Sequence, residues 1–169
     1  MSNVLIGIIG VILFIGLALA GALILGEDFM TASASSEASA QLSTGRQIMN
    51  AIAMHDLKTG TPLGYRRSDG ERTNLSDLKP RFLKDGTPSN GWHFHGGLGG
   101  RIYPVNDLPY TAENRQVCFE IQRQAGQVGP DAADINETRL TTAQLYDRPF
   151  GCSVWTIGSE DRYMVFVTS

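Results

Sequence analysis

Residues 4–25 read VLIGIIGVILFIGLALAGALIL and hold no charged or strongly polar side chain. Fifteen of these twenty-two residues are Val, Leu, Ile or Phe. As a helix the run rises about 33 Å, enough to cross a hydrocarbon core of about 30 Å. A continuous apolar strand would be far shorter. The run is therefore predicted to be a membrane-spanning helix. Its rival is a cleaved secretory signal, since Ala18-Leu19-Ala20 has the small-residue form of a cleavage site. A basic stretch before the apolar run is missing, and the run continues to Leu25. Both features favour a retained anchor.

Glycines punctuate this helix at Gly7, Gly10, Gly16, Gly21 and Gly26, and Gly16/Ala20 and Ala18/Ala22 are small-xxx-small pairs. Such pairs let helix backbones approach closely where lipid supplies no hydrophobic driving force. Gly7, Gly10, Gly16, Ala20 and Gly21 are accordingly candidate helix-packing positions.

The remainder of the 169 residues is more polar. Apolar residues make up 42% of the whole and charged residues 18%, with 14 Lys+Arg against 17 Asp+Glu and a net charge of −3. The first basic side chain is Arg46. Without a basic excess to neutralise phosphates, no specific nucleic-acid partner is expected. Nineteen glycines without period exclude collagen. Two cysteines are too few for a disulfide-dense miniprotein or a four-thiolate zinc site.

Beyond the apolar run, TASASSEASAQ (31–41) lacks Gly and Pro, and its alanines favour helix. Leu42, Gly45, Met49 and Ile52 recur at steps of three and four, which is one helix face. One long helix is predicted from Val4 to His55, apolar all round in its first half and amphipathic in its second, ended by Gly60 and Pro62. Residues 58–90 read as loop with SDG, KDG and SNG turns, and Asn74 or Ser76 caps a short helix reaching Leu83. Trp92–His95 and Arg101–Val105 read as strands joined by the GGLGG loop, Gly96 to Gly100. Thr111–Ala125 reads as a second helix, with Val117, Cys118 and Ile121 on one face. Residues 126–151 are loop-like with a short turn at Thr141–Tyr146. Cys152–Ile157 and Tyr163–Thr168 form a hairpin through GSEDR. Both faces of that hairpin carry apolar residues, so one is expected to pack on a helix and the other to meet a neighbour. The fold class is α+β: a long N-terminal helix, transmembrane then amphipathic, packed against an antiparallel sheet. Residues 1–28 form the transmembrane or filament-core helix, and residues 29–169 an exported head.

Cys118 and Cys152 fit an oxidising compartment beyond the anchor. Their bridge would close a loop of about 35 residues and contribute roughly 3–4 kcal/mol on the chain-entropy account. It places the head outside the cytoplasm and the N-terminus inside.

Candidate chemistry is sparse. His93 and His95 share a strand face and with His55 are the only metal-ligand candidates. Trp92 and Phe94 flank the pair and no acidic partner is evident, so a structural role is read and no metal is expected. GGLGG lacks the Lys and following helix of a phosphate loop. No GxSxG elbow or acid–base pair occurs, so no catalytic residue and no cofactor is nominated. Asn74-Leu75-Ser76 and Asn136-Glu137-Thr138 match a glycosylation sequon. Trp92, Tyr103, Trp155, Tyr163 and Phe166 read as sheet core.

A hydrophobic N-terminal helix running into an α+β head with a C-terminal disulfide loop resembles the bacterial type IV pilins. NRQVCFEIQRQAG (114–126), GCSVWTIG (151–158) and YMVFVTS (163–169) look most like the type IVb group, and LKPRFLKDGTPSNGW (78–92) resembles the passage between helix and sheet. The resemblance implies a non-enzymatic structural subunit of an extracellular filament. It would be stored as a single-pass inner-membrane protein in the lipid bilayer, then polymerised with identical subunits by the pilus assembly machinery. It implies a Cys118–Cys152 loop, and processing and methylation at Met1, and it leaves open whether the filament serves cell adhesion, motility, DNA uptake, conjugation, secretion or phage attachment. Two features depart from the family pattern. No basic leader precedes Met1, so either Met1 is the processed residue or the anchor is of another kind. Leu5 stands where most pilins have Glu, which also fits a minor pilin or a secretion pseudopilin. The remaining alternative is a single-pass periplasmic binding domain that does not polymerise.

Overall fold

The computed structural model describes residues 2–64, 70, 72–84, 91–96 and 102–168; within the first helix, the side chains at 2–6 and 19–28 lie outside that description. The chain divides into two compact units, Met1–Ser33 and Ala34–Ser169.

Helix α1 runs Ser2–Thr59, longer at both ends than the predicted Val4–His55. Its stop is the predicted one. Gly60 takes φ +70°, and its N–H donates to the Asp56 carbonyl at 2.9 Å. A left-handed residue after the last turn satisfies a carbonyl that would otherwise be orphaned, and glycine adopts that geometry without a Cβ penalty. The Asp56 carboxylate then accepts from the Leu63 N–H at 2.7 Å, which turns the chain back.

In the first unit every described side chain from Gly7 to Ala18 is exposed. Among the described residues no helix is long and apolar enough to cross a membrane. Twelve residues of helix rise only about 18 Å. The predicted span over 1–28 draws the rest of its length from positions whose side chains lie outside the description.

The head holds four strands, β1 (Trp92–Gly96), β2 (Ile102–Pro109), β3 (Phe150–Ile157) and β4 (Glu160–Val167). They form one antiparallel sheet in the order β1-β2-β4-β3. Of the GGLGG loop, Gly96 closes β1 and residues 97–100 lie outside the described ones. All four strands exceed their predicted bounds, β1 by Gly96 and β3 by Phe150 and Gly151, with larger extensions in β2 and β4. β2 continues past Val105 through Asn106 and Asp107, residue types that strands disfavour on propensity alone. Asn106 is nonetheless buried, and its amide donates to Gln41 Oε1 of α1 at 2.8 Å. The predicted GSEDR link shrinks to Gly158-Ser159, with Gly158 at φ +65°. Glu160, Asp161 and Arg162 belong to β4 and pair with Ile157, Thr156 and Trp155. Their charge reads as loop, but this end of the hairpin is exposed and can keep it in water.

The sheet buries both faces. On the first lie Trp92, Phe94, Ile102, Cys152, Tyr163, Val165 and Val167, in one cluster with Ala34, Ala38, Leu42, Ile48 and Ile52 of α1. Leu42, Gly45 and Ile52 are buried as predicted and Met49 packs partly buried against the same cluster, while Ile48, not predicted on this face, is fully buried. Gly45 packs directly against the sheet: an added Cβ would stand 2.5 Å from Val167 Cγ2 and 2.8 Å from Trp92 Cη2. On the second face lie Tyr103, Val105, Met164 and Phe166. The neighbour expected there is the chain itself, through Leu140, Leu145 and Tyr146.

Three shorter elements complete the head. Helix α2 (Ala112–Gln124) starts where Thr111 Oγ1 accepts from the Asn114 N–H. It ends at Gly126, φ +64°, with the Gly126 N–H bonded to the Arg123 carbonyl and the Gln127 N–H to the Gln122 carbonyl. That is the Schellman arrangement, which caps two carbonyls at once. Helix α3 (Thr142–Tyr146) carries a capping box between Thr141 and Gln144. The helix expected to reach Leu83 is instead a single 3-10 turn, Leu75–Leu78, with the Asn74 N–H donating to Asp77. Lys79 is extended, as a residue before proline prefers, and the turn stops there.

Candidate functional site

Two regions stand apart from ordinary core and surface. The first is the exposed apolar surface of α1. Ile12, Leu13, Phe14 and Ile15 are consecutive, and a helix turns about 100° per residue, so these four cover its whole circumference. They are 63%, 61%, 74% and 51% exposed. A soluble amphipathic helix keeps one polar side; this segment has none. Exposed apolar surface of this kind marks an interaction site with lipid or protein. Gly7, Gly10 and Gly16 have open space where a side chain would project. Ala20 and Gly21 fall among the positions whose side chains lie outside the description, and Met1 lies outside the described residues.

The second region is the loop closed by the Cys118–Cys152 disulfide, which ties α2 to β3 across a sequence separation of 34. Both cysteines are fully buried. The bridge is reinforced by amides. Gln122, almost fully buried, donates from Nε2 to the carbonyls of Asn136 (2.9 Å) and Cys152 (3.0 Å), and its Oε1 accepts from the Asn136 N–H at 2.7 Å. Gln127 holds the main chain of the same residue: its Oε1 accepts from the Cys152 N–H at 2.9 Å, and its Nε2 donates at 3.1 Å to the Cys152 carbonyl, which it shares with Gln122. Gly151 allows this approach, since a Cβ there would collide with Gln127 and Phe166.

At the outer rim Arg115 grips the same loop. It makes a bidentate contact with Asp134 (2.7 and 3.0 Å) and a further bond to Glu137 (2.7 Å). The fork of a guanidinium matches a carboxylate at two points, which fixes direction as well as distance. These bonds hold the guanidinium above the usual arginine range, and they hold the Asp134 carboxyl below the usual carboxylate range with help from the Ile135 N–H. Tyr110 donates to Glu137 and stacks on Tyr163 with centroids 4.6 Å apart. Burial, more than Tyr110 beside it, pushes the Tyr163 phenol up to about 12.

The three histidines do not converge. His55 lies against Asp56 and the edge of Phe82. His93 does have an acidic partner that the sequence reading missed, Asp107 at 3.4 Å, one diagonal step across the β1–β2 ladder. His95 instead contacts the Gly96 carbonyl and the Tyr103 hydroxyl, and its ring meets Trp155 edge-on. Among the described residues no three His, Cys, Asp or Glu side chains gather as a metal-holding group. Of the aromatics, Trp92, Tyr103, Tyr163 and Phe166 are buried as expected, while Trp155 is half-buried beneath the Arg139 guanidinium at 3.9 Å. Burial raises the Tyr103 phenol to about 12, with Tyr146 adding to the effect. The sequon asparagines, Asn74 and Asn136, are both exposed.

No protein-family model, no curated protein and no solved structure matches this chain.

Proposed function

We propose that this chain is a structural subunit of a type IV pilus-like filament, polymerising through its N-terminal helix. The observation that carries the reading is the apolar circumference at Ile12, Leu13, Phe14 and Ile15, exposed on every side. Such a rod needs an apolar environment all round, and both a bilayer and a bundle of identical rods provide one. Before assembly residues 1–28 span the inner membrane, with the N-terminus cytoplasmic and the disulfide-bearing head outside. Assembly machinery then moves the rod from lipid into the filament axis, from one apolar surrounding to another, and the heads form the shell. Contacts of this kind are heterologous and open, so they generate a helix rather than a ring. The loop 126–141, pinned by the bridge and the two glutamines, is presented on the head as a surface for partners.

Leu5 favours a second reading within the same architecture, a minor pilin or secretion pseudopilin, because the charge that most pilins place at that position is missing. The test is electron microscopy of filaments sheared from cells that produce the protein. Filaments with the N-terminal helices bundled along the axis are expected. A protein that stays monomeric in detergent and in membranes with its machinery present is instead a non-polymerising single-pass domain.

A further inference from the structure

Resting on that polymer reading, a second set of observations bears on how far one copy is offset from the next. Between Phe29 and His55, α1 carries two formal charges, Glu37 and Arg46. Both are exposed. Neither takes part in an ion pair among the described residues. Glu37 accepts from the Gln41 amide at 2.7 Å, and Arg46 lies 5.1 Å from the centre of the Phe150 ring. These neutral partners orient the two groups but leave each charge uncompensated.

The spacing is informative. Nine residues are two and a half turns, so Glu37 and Arg46 point to opposite flanks of α1, separated along the axis by about 13.5 Å. Arg46 opens on a cleft of about 300 Å³ between α1 and the end of α2, lined also by Ser39, Ser43, Asn50 and Gln124. The short serines admit another helix at close range.

We propose that a second copy of this chain occupies that cleft, its Glu37 set against Arg46, with the two α1 helices parallel and offset by about 13.5 Å. Copies held level would set the Arg46 flank of one against the Glu37 flank of the next with the two charges still about 13.5 Å apart along the axis, leaving both signs unneutralised. The offset pairs them. Because the two charges sit on opposite flanks, each copy offers one as plug and the other as socket, and the contact repeats without closing.

The test uses the full chain in cells that assemble filaments. Glu37→Arg and Arg46→Glu, each alone, oppose like charges at every contact, and roughly a tenfold loss of sheared filament is expected. The combined variant restores the pair with its signs exchanged, and recovery to within about threefold of wild type is expected. Circular dichroism of each detergent-solubilised variant shows that the head is folded. As a second measurement, Glu37→Cys with Arg46→Cys in one chain gives a disulfide-linked ladder of this chain on non-reducing gels, and neither single variant does. The native cysteines are fully buried and bridged, so they do not compete. If wild-type filaments form and the single reversals assemble equally well, the offset is wrong while the polymer stands. Cross-links in the Glu37→Cys chain alone, or to a different protein, also overturn it. If wild type yields no filaments and the double-cysteine chain no ladder, the polymer reading itself falls.

Discussion

Gly45→Ala tests whether α1 is seated on the sheet as described. The methyl would stand 2.5 Å from Val167 Cγ2 and 2.8 Å from Trp92 Cη2. Carbon atoms rest at about 3.5–4.0 Å, so helix and sheet must part by roughly 1 Å or the two side chains must rotate. Val167 is fully buried and Trp92 nearly so, which leaves little room to rotate. Overpacking of this kind costs about 1–3 kcal/mol. Alanine in place of glycine returns roughly 1 kcal/mol of helix propensity. The net expectation is a loss of about 1 kcal/mol, a fall in Tm of roughly 3–4 °C for a domain of this size. Val167→Ala alone also destabilises, by roughly 2 kcal/mol through the cavity it leaves. Combined, the new methyl fills the space the old one vacated. The double variant should be more stable than the sum of the single losses predicts, by at least about 1 kcal/mol. Urea denaturation of the detergent-solubilised chain, followed by tryptophan fluorescence, measures all four corners of the cycle. Were Gly45→Ala to stabilise the protein, with no coupling to Val167, the helix would not lie on the sheet at this point.

Replacing both cysteines by alanine removes a cross-link spanning 34 positions, which should cost about 4 kcal/mol and lower Tm by roughly 12 °C; an unchanged melting curve would show that the amides and Arg115 hold the loop unaided. Alkaline titration followed by phenolate absorbance should show Tyr103 and Tyr163 ionising at about 12 rather than at 10. Each late component should vanish in the matching Phe variant. Because these folded-state values are raised, the stability they confer is fully present below pH 10 and is lost as the pH climbs towards 12. A titration with no late component refutes the burial assigned to the two rings.

Much of the head was legible because its signals are local. The 3.6-residue rhythm of Leu42, Gly45 and Ile52, the Gly60 stop, the helical run that begins at Thr111, the turn at Thr141–Tyr146 and the alternation along Tyr163–Val167 each act within a few residues. What escaped is what depends on a distant partner. Asn106 looks like a strand breaker until Gln41, far away in sequence, satisfies its amide. Nothing local marks Gln122 and Gln127, whose amides bond the main-chain N–H and carbonyl of Cys152. Asp107 is invisible as a partner of His93 until the strands are in register. The same holds for Ile48 against Met49, since neighbouring helical positions differ by only about 100° and the sheet decides which goes under. For the N-terminal helix, composition gives its apolar character directly.

The grip of Gln127 on Cys152 reaches beyond the loop it secures. β3 is the outermost strand on its side, and an outermost strand offers its main chain as a template on which a foreign strand can grow. At Cys152 that template is already occupied by a side-chain amide, which mimics a paired strand over one residue and then ends. A foreign strand is thereby denied that residue's main chain. Mutating Gln127 would open the edge at Cys152 to such pairing.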